Sequence, residues 1–123
     1  MEIVRDSNSE YGVDMFCHIP HGSCRLTISP RCPSVLWLST VVVDENHRKC
    51  GVGTQILKEV EKVAADNGST VISLQTWTNS WQQAWYARHG FIPVADGYDN
   101  DMVMMSKFIV KPTEIGEVKN ETL

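Results

Sequence analysis

Residues 41–54, with the sequence VVVDENHRKCGVGT, constrain this chain more than any other segment. An apolar run ends in a polar turn, and Gly51 and Gly53 then open a stretch with helical periodicity. Glycines at such a junction let the backbone bend tightly, and the start of a helix leaves several N–H groups unpaired. Those groups and the helix dipole both favour negative charge. The segment therefore predicts an anion site, suited to a phosphate-bearing ligand, between a strand and a helix.

Runs of apolar and β-branched residues predict six strands in the rest of the chain. They cover residues 13–19, 24–29, 34–43, 70–76, 91–95 and 102–110. The run 34–43 suits a central strand that is buried on both faces. Residues 1–12 show no helical period, and the polar tail after Lys111 is expected to fray. The order of the elements predicts an α/β domain with a mixed sheet.

Two helices are predicted between these strands. The first covers residues 51–66, where the apolar positions fall on one face, and Asn67-Gly68 ends it. The second begins at Asn79 or Ser80, either of which can cap it, and continues to about His89.

Composition excludes several classes of function. A chain of 123 residues with a net charge of -4 is expected to form one domain without a general nucleic-acid surface. No apolar run is long enough to span a bilayer, and the N-terminus lacks the apolar core of a signal peptide. We therefore expect a cytoplasmic protein that does not bind membranes.

One group of residue types could bind zinc. Cys17, His18, His21 and Cys24 lie close together in the sequence, with Cys32 beyond them. Their spacing matches no familiar zinc motif, and reduced cysteines often serve as small apolar side chains. Two strands joined by a turn explain the segment more simply, so no metal is expected, and a small metal-binding interaction domain is the weaker alternative.

The segment Arg48-x-x-Gly51-x-Gly53, placed after a strand, resembles the acyl-CoA pyrophosphate loop of the GNAT superfamily of N-acetyltransferases. A dinucleotide-binding loop would need a third glycine and a downstream acidic residue, and a Walker loop would need Gly-Lys-Ser/Thr. Neither pattern is present.

A second segment, Asn79-x6-Tyr86-x3-Gly90-Phe91, is similar to another signature of the same superfamily. The two segments together carry the resemblance, which covers residues 24–110. It implies a mixed, mostly antiparallel twisted sheet with flanking helices, and acetyl-CoA as co-substrate.

The resemblance also implies roles for individual residues. Val41 and Val43 would offer main-chain groups to the pantetheine arm, and Asn79 would contact the same arm. The pyrophosphate would be wrapped by Arg48, Lys49, Cys50, Gly51, Val52, Gly53 and Thr54. Cys50 is expected to be a loop residue rather than a nucleophile, because the superfamily transfers the acetyl group directly.

Tyr86 would be the general acid for the CoA thiolate, a role that a phenol can fill. A tyrosine on an amphipathic helix is also commonly a core residue, and Trp81 and Trp85 are expected to be core. Asn79 could equally be a plain helix cap.

The residues leave the general base open. Asp44 and Glu45 follow the strand and are candidates for the base, but ordinary turn residues are the simpler interpretation. The same holds for His47. Ser39 and Thr40 on the strand could instead order a water that removes the proton.

One departure concerns the N-terminal helices that the superfamily places before the second strand, because here they are reduced or missing. An open acceptor side would suit a large amine-bearing substrate, or a pocket completed by a second subunit in a homodimer. A relative that binds acyl-CoA without catalysis is the other alternative.

Overall fold

The computed structural model describes residues 2–9 and 12–109, which form a seven-stranded sheet and two α-helices. The elements are β1 (Glu2–Ser9), β2 (Gly12–Ile19), β3 (Gly22–Ser29), β4 (Cys32–Val43), α1 (Val52–Asp66), β5 (Val71–Trp77), α2 (Trp81–Arg88), β6 (Ile92–Asp96) and β7 (Met102–Phe108). A short 3-10 turn, Glu45–His47, lies between β4 and α1. The strand order is β1-β2-β3-β4-β5-β7-β6. Only β4 and β5 are parallel, which confirms the predicted mixed, mostly antiparallel sheet.

All six predicted strands and both helices are present, with ends shifted by one or two residues. Strand β1 was not predicted, because the polar sequence of residues 1–12 shows no clear alternation. The predicted end of β7 at Val110 and the predicted frayed tail lie outside the described residues. Both described helices follow β4, and neither is long and apolar enough to cross a bilayer.

Helix α1 covers one face of the sheet and builds the core with it. Its buried residues recur at helical spacing, because that period places them on one side of the helix. They are Val52, Ile56, Leu57, Val60, Val63 and Ala64. They pack on the buried sheet residues Met15, Cys17, Cys24, Leu26, Leu36, Leu38, Ile72, Leu74 and Met105.

The prediction that β4 is buried on both faces is wrong. Only Leu36 and Leu38, which point to the same face, are buried, whereas Trp37 between them is half-buried. The opposite face carries polar contacts on the neighbouring strands: the Arg25 guanidinium lies 3.0 Å from the Asp14 carboxylate. A sheet packed by α1 on one side explains the alternation.

Strands β4 and β5 pair over a short distance and then separate. Their ladder consists of the three pairs Val35–Val71, Leu36–Ile72 and Trp37–Ser73. On the other side of β4, the pairing with β3 shifts register between Ser39 and Val42, so that β4 carries one extra residue there. Thr40 within this bulge has a positive φ of 51°. A bulge bends its strand, and here it lies beyond the end of the β4–β5 ladder.

Candidate active site

The ladder between β4 and β5 ends before either strand does, and the region between the two strands beyond its last pair is here called the cleft. Residues 38–43 of β4 and 74–77 of β5 continue beyond the last pair of their shared ladder. Because the strands are parallel, the segments that lead into α1 and α2 leave the sheet at this same edge. The cleft is therefore bordered by the parts of β4 and β5 that do not pair with each other and by the starts of α1 and α2.

The loop that opens α1 has a backbone conformation that could accommodate the predicted anion. Lys49 and Gly51 both have positive φ, at 65° and 83°, and Gly51 is the N-cap residue. The hydrogen bond that Gln55 N–H donates to the Gly51 carbonyl, at 3.0 Å, begins the helical ladder. The N–H groups of residues 52–54 precede that bond, so the helix itself does not use them. No acidic side chain lies in the first turn, and Arg48 and Lys49 are exposed.

The two glycines of this loop are required for different reasons. At Gly51 an added Cβ would meet no atom within 4 Å, so the requirement is the left-handed backbone. At Gly53 an added Cβ would lie 2.8 Å from Cζ2 of Trp85, so the requirement is space. Gly53 therefore lets α1 and α2 approach each other closely beside the loop.

Thr54 belongs to a hydrogen-bonded chain that links the two helices. The His89 Nδ1 atom lies 2.8 Å from the Trp85 carbonyl oxygen, which can only accept, so Nδ1 carries a hydrogen. In the neutral imidazole Nε2 is then an acceptor, and the Thr54 hydroxyl 3.1 Å away donates to it. The Thr54 oxygen keeps its lone pairs but not its proton for other partners.

Tyr86 is half-buried on α2 and held by aromatic neighbours. Its ring makes edge contacts with Trp85, at a centroid distance of 5.1 Å, and with Phe91, at 5.5 Å. Burial, followed by the influence of the neighbouring Cys24 thiol, raises the pKa of Tyr86 above 10.0. The hydroxyl therefore keeps its proton at neutral pH and is a hydrogen-bond donor.

Asn79 and Trp81 differ from their expected structural roles. Ser80, not Asn79, caps α2, because its Oγ accepts a hydrogen bond from Gln83 N–H at 3.1 Å. Asn79 is exposed with a positive φ of 57°, and its N–H donates to the Gln83 side chain. Trp81 is 72% exposed, so the prediction that it is core is wrong, whereas Trp85 packs against the core.

The remaining predicted residues lie on β4 and the turn after it. Val41 and Val43 are half-buried against the core in the part of β4 that borders the cleft. Of the candidates for the general base, Ser39, Thr40, Asp44 and Glu45 are exposed, and His47 is half-buried. Asp44 and His47 lie close to His21, which belongs to the turn between β2 and β3.

The cysteine-histidine pattern does not converge on a metal site. Cys17 and Cys24 are opposite each other on β2 and β3, and both face the core. Burial raises the pKa of Cys24 to about 12, which disfavours the thiolate that metals bind. His18 is exposed, and Cys32 lies at the other end of the β3–β4 pair.

Sequence reasoning missed the contacts that hold α2 against α1. Trp85 and His89 are one helical turn apart, a spacing that places them on one face and is the only local signal for their joint role. Their partners, Gly53 and Thr54, come from a distant part of the sequence. Likewise, sheet pairing alone brings His21 to Asp44.

Comparison with known proteins agrees with this geometry. Residues 10–93, more than half of the chain, match the family model described as "Acetyltransferase (GNAT) domain". Comparison with curated protein sequences gives no significant match.

Three solved structures illustrate the similarity of fold. An acetyltransferase from Bacillus subtilis, in complex with CoA, is 19% identical, with a TM-score of 0.68 over 89% of this chain and 97% of that one. A GNAT family acetyltransferase from Elizabethkingia anophelis, with acetyl-CoA bound, is 18% identical, with a TM-score of 0.64 over 80% and 77%. An IAA acetyltransferase from Bacillus cereus is 18% identical, with a TM-score of 0.65 over 80% and 79%.

Proposed function

Because this chain belongs to the GNAT acetyltransferase family, we propose that it moves an acetyl group from acetyl-CoA directly to a primary amine. The observation that carries the proposal is the cleft between β4 and β5, which opens beside the unpaired N–H groups of residues 52–54. A strand edge can pair with an extended amide-bearing arm, and a helix N-terminus suits a pyrophosphate. Acetyl-CoA carries both groups in one molecule, and two of the similar structures hold acetyl-CoA or CoA.

In this proposal each part of the co-substrate has its own contacts. The pantetheine arm lies along β4 and pairs with main-chain groups of Val41 and Val43, while Asn79 contacts it from the opposite wall. The N–H groups from Arg48 to Thr54 surround the pyrophosphate. The Arg48 and Lys49 side chains add positive charge, although exposed charges contribute little in water, so the backbone carries more of the binding.

The reaction conserves protons between the two substrates. A neutral amine attacks the thioester carbonyl, the C–S bond breaks, and the amine nitrogen loses one proton while the CoA sulfur gains one. Tyr86, whose raised pKa keeps it protonated, donates a hydrogen bond to the departing thiolate and acts as its general acid. An ordered water in contact with the exposed Ser39 or Thr40 takes the proton from the amine and passes it to solvent, and Tyr86 takes a proton back from solvent, so the net result is transfer of one proton from the amine to the CoA sulfur.

The acceptor side of the cleft supports a large substrate. Within residues 2–9 and 12–109 no helix precedes β4, so the described elements leave this side open. We propose an amine on a polypeptide as the acceptor. The alternative is that a second subunit closes the site. Sedimentation with and without CoA tests this alternative.

The experiment is release of free thiol from acetyl-CoA across a panel of amines and lysine-containing peptides. Turnover with at least one acceptor is expected, and Tyr86→Phe is expected to lower kcat by about 10²–10⁴-fold, the usual contribution of a general acid. The KM for acetyl-CoA should change little, because the ring contacts remain. Tyr98→Phe is the matched control, since Tyr98 is 93% exposed in the turn before β7.

Each outcome has a defined meaning. If no acceptor releases thiol and CoA does not raise the melting temperature, the enzyme proposal is wrong. If CoA stabilises the protein without any thiol release, the chain is an acyl-CoA-binding relative that does not catalyse. If Tyr86→Phe keeps full activity, Tyr86 is a packing residue only.

A further inference from the structure

His21, Asp44 and His47 form a compact group, here called the His–Asp–His cluster, which the proposed reaction does not use. One ligand atom from each residue lies within 4.8 Å of the others. His21 belongs to the turn between β2 and β3, Asp44 directly follows β4, and His47 ends the 3-10 turn. Asp44 N–H donates to the His21 carbonyl and His47 N–H donates to the Asp44 carbonyl, both at 2.8 Å. The backbone therefore fixes the three residues relative to one another.

The side chains of the cluster have unused ligand capacity. The His21 Nδ1 atom lies 3.5 Å from an Asp44 carboxylate oxygen. The two imidazole rings are stacked, with centroids 3.4 Å apart and planes at 6°. Nδ1 of His47 is buried, and no hydrogen-bond partner for it exists within the described part of the chain. A buried polar atom without a partner is unfavourable and calls for an explanation, of which an ion is one.

We propose that the His–Asp–His cluster binds a divalent transition metal, with zinc as the best match. Two imidazole nitrogens and one carboxylate oxygen suit zinc and its neighbours in the first row better than magnesium or calcium. Two ligands of a tetrahedral zinc ion lie about 3.3 Å apart, close to the 3.5 Å between His21 and Asp44. Three protein ligands leave the fourth position to water.

Binding also requires the stacked rings to reorient. The in-plane lone pairs of parallel rings lie in parallel planes, so one ion cannot lie in the plane of both rings. The proposal therefore includes a rotation of the His21 ring about its Cβ–Cγ bond. The His21 side chain is 48% exposed, which leaves room for that rotation.

A bound ion would add a link between two loops that backbone hydrogen bonds, the contact of His21 with Asp44 and the stacked imidazole rings already join. It would tie the β2–β3 turn to the segment directly before Arg48, where the loop proposed to bind the pyrophosphate begins. The metal proposal does not rest on the proposed reaction, because none of the three residues has a part in that reaction.

The test is titration of the full chain, freed of metal by a chelator, with zinc chloride in a calorimeter. One zinc per chain is expected. His21→Ala and His47→Ala should each weaken binding at least about tenfold, since even outer-shell partners of metal sites are worth about 10–100-fold. The matched control is His18→Ala, which removes an exposed histidine on β2 outside the cluster and should leave the affinity unchanged. Asp44→Asn, which keeps the shape of the side chain, covers the case of a variant that fails to fold.

Spectroscopy with cobalt(II) identifies the ligands. A visible spectrum of nitrogen and oxygen coordination, without a thiolate charge-transfer band, supports the cluster. A thiolate band, an equal loss of affinity in His18→Ala, or no zinc binding by the unaltered chain would each overturn the proposal.

Discussion

Replacing Gly53 by alanine tests whether close contact between α1 and α2 shapes the cleft. The new Cβ would lie 2.8 Å from Cζ2 and 3.2 Å from Cη2 of Trp85. Carbon atoms in good contact are about 3.5–4.0 Å apart, so the indole ring must move by roughly 1 Å. That ring lies 5.1 Å from Tyr86 and 4.3 Å from His89, centroid to centroid. The displacement therefore reaches the proposed acid and the hydrogen bond to Thr54.

The expected cost follows from two opposing terms. Overpacking a well-filled contact costs about 1–3 kcal/mol, and the better helix propensity of alanine offsets up to about 1 kcal/mol. The free energy of unfolding should fall by about 1–2 kcal/mol, which lowers the melting temperature of a domain of this size by about 3–10 °C. Denaturant titrations measure the first quantity, and CoA affinity should fall in parallel.

A double-mutant cycle with Trp85→Phe isolates the cause. Phenylalanine lacks the atoms that the new methyl group meets, so Gly53→Ala should cost less than about 0.5 kcal/mol in that background. Gly51→Ala is the matched control, because its new Cβ meets no atom and its cost in stability comes only from a φ of 83°. That cost, about 1–2 kcal/mol, should be the same with Trp85 and with phenylalanine at position 85. Equal costs of Gly53→Ala with and without Trp85 would refute the reasoning.

Three further predictions concern stability. The free energy of unfolding should fall as the pH rises from about 9 to 12, because burial raises the pKa of Cys24 from 9.0 to about 12 and the unfolded chain loses this proton first. In denaturant titrations Cys24→Ala should flatten this dependence on pH, whereas Cys32→Ala, which changes an exposed cysteine, should not. Ser80→Ala should cost about 1 kcal/mol, because Gln83 N–H loses its cap acceptor, and an unchanged melting temperature would contradict this. Thr40→Gly should stabilise the protein by up to about 1 kcal/mol, because a β-branched residue is strained at a φ of 51°. If calorimetry finds a loss of stability, the contacts of the hydroxyl or the methyl group outweigh the strain.

The sequence predicted those features that depend on neighbours in the chain. Helix α1 and the loop before it follow from local periodicity and from two glycines two positions apart, of which Gly51 acts through the backbone alone. The second reason for Gly53, the space that Trp85 needs, depends on a distant part of the chain. The bulge at Thr40 and the separation of β4 from β5 depend on pairing between distant strands, so no local pattern marks them. The error at Trp81 has a similar origin, because Trp81 and Trp85 share a helix face but only Trp85 lies against α1 at Gly53.

The three residue pairs between β4 and β5 also have a mechanical consequence. They are the link between a four-stranded part and a three-stranded part of the sheet, and α1 contacts both β4 and β5. The free protein should deform more easily at this three-pair ladder than within either part of the sheet, and amide hydrogens beside the ladder should exchange early. A molecule that lies in the cleft and hydrogen-bonds to both β4 and β5 would join them as an added strand does. Occupancy of the cleft would then stiffen the whole domain, and slower amide exchange far from the cleft would report it.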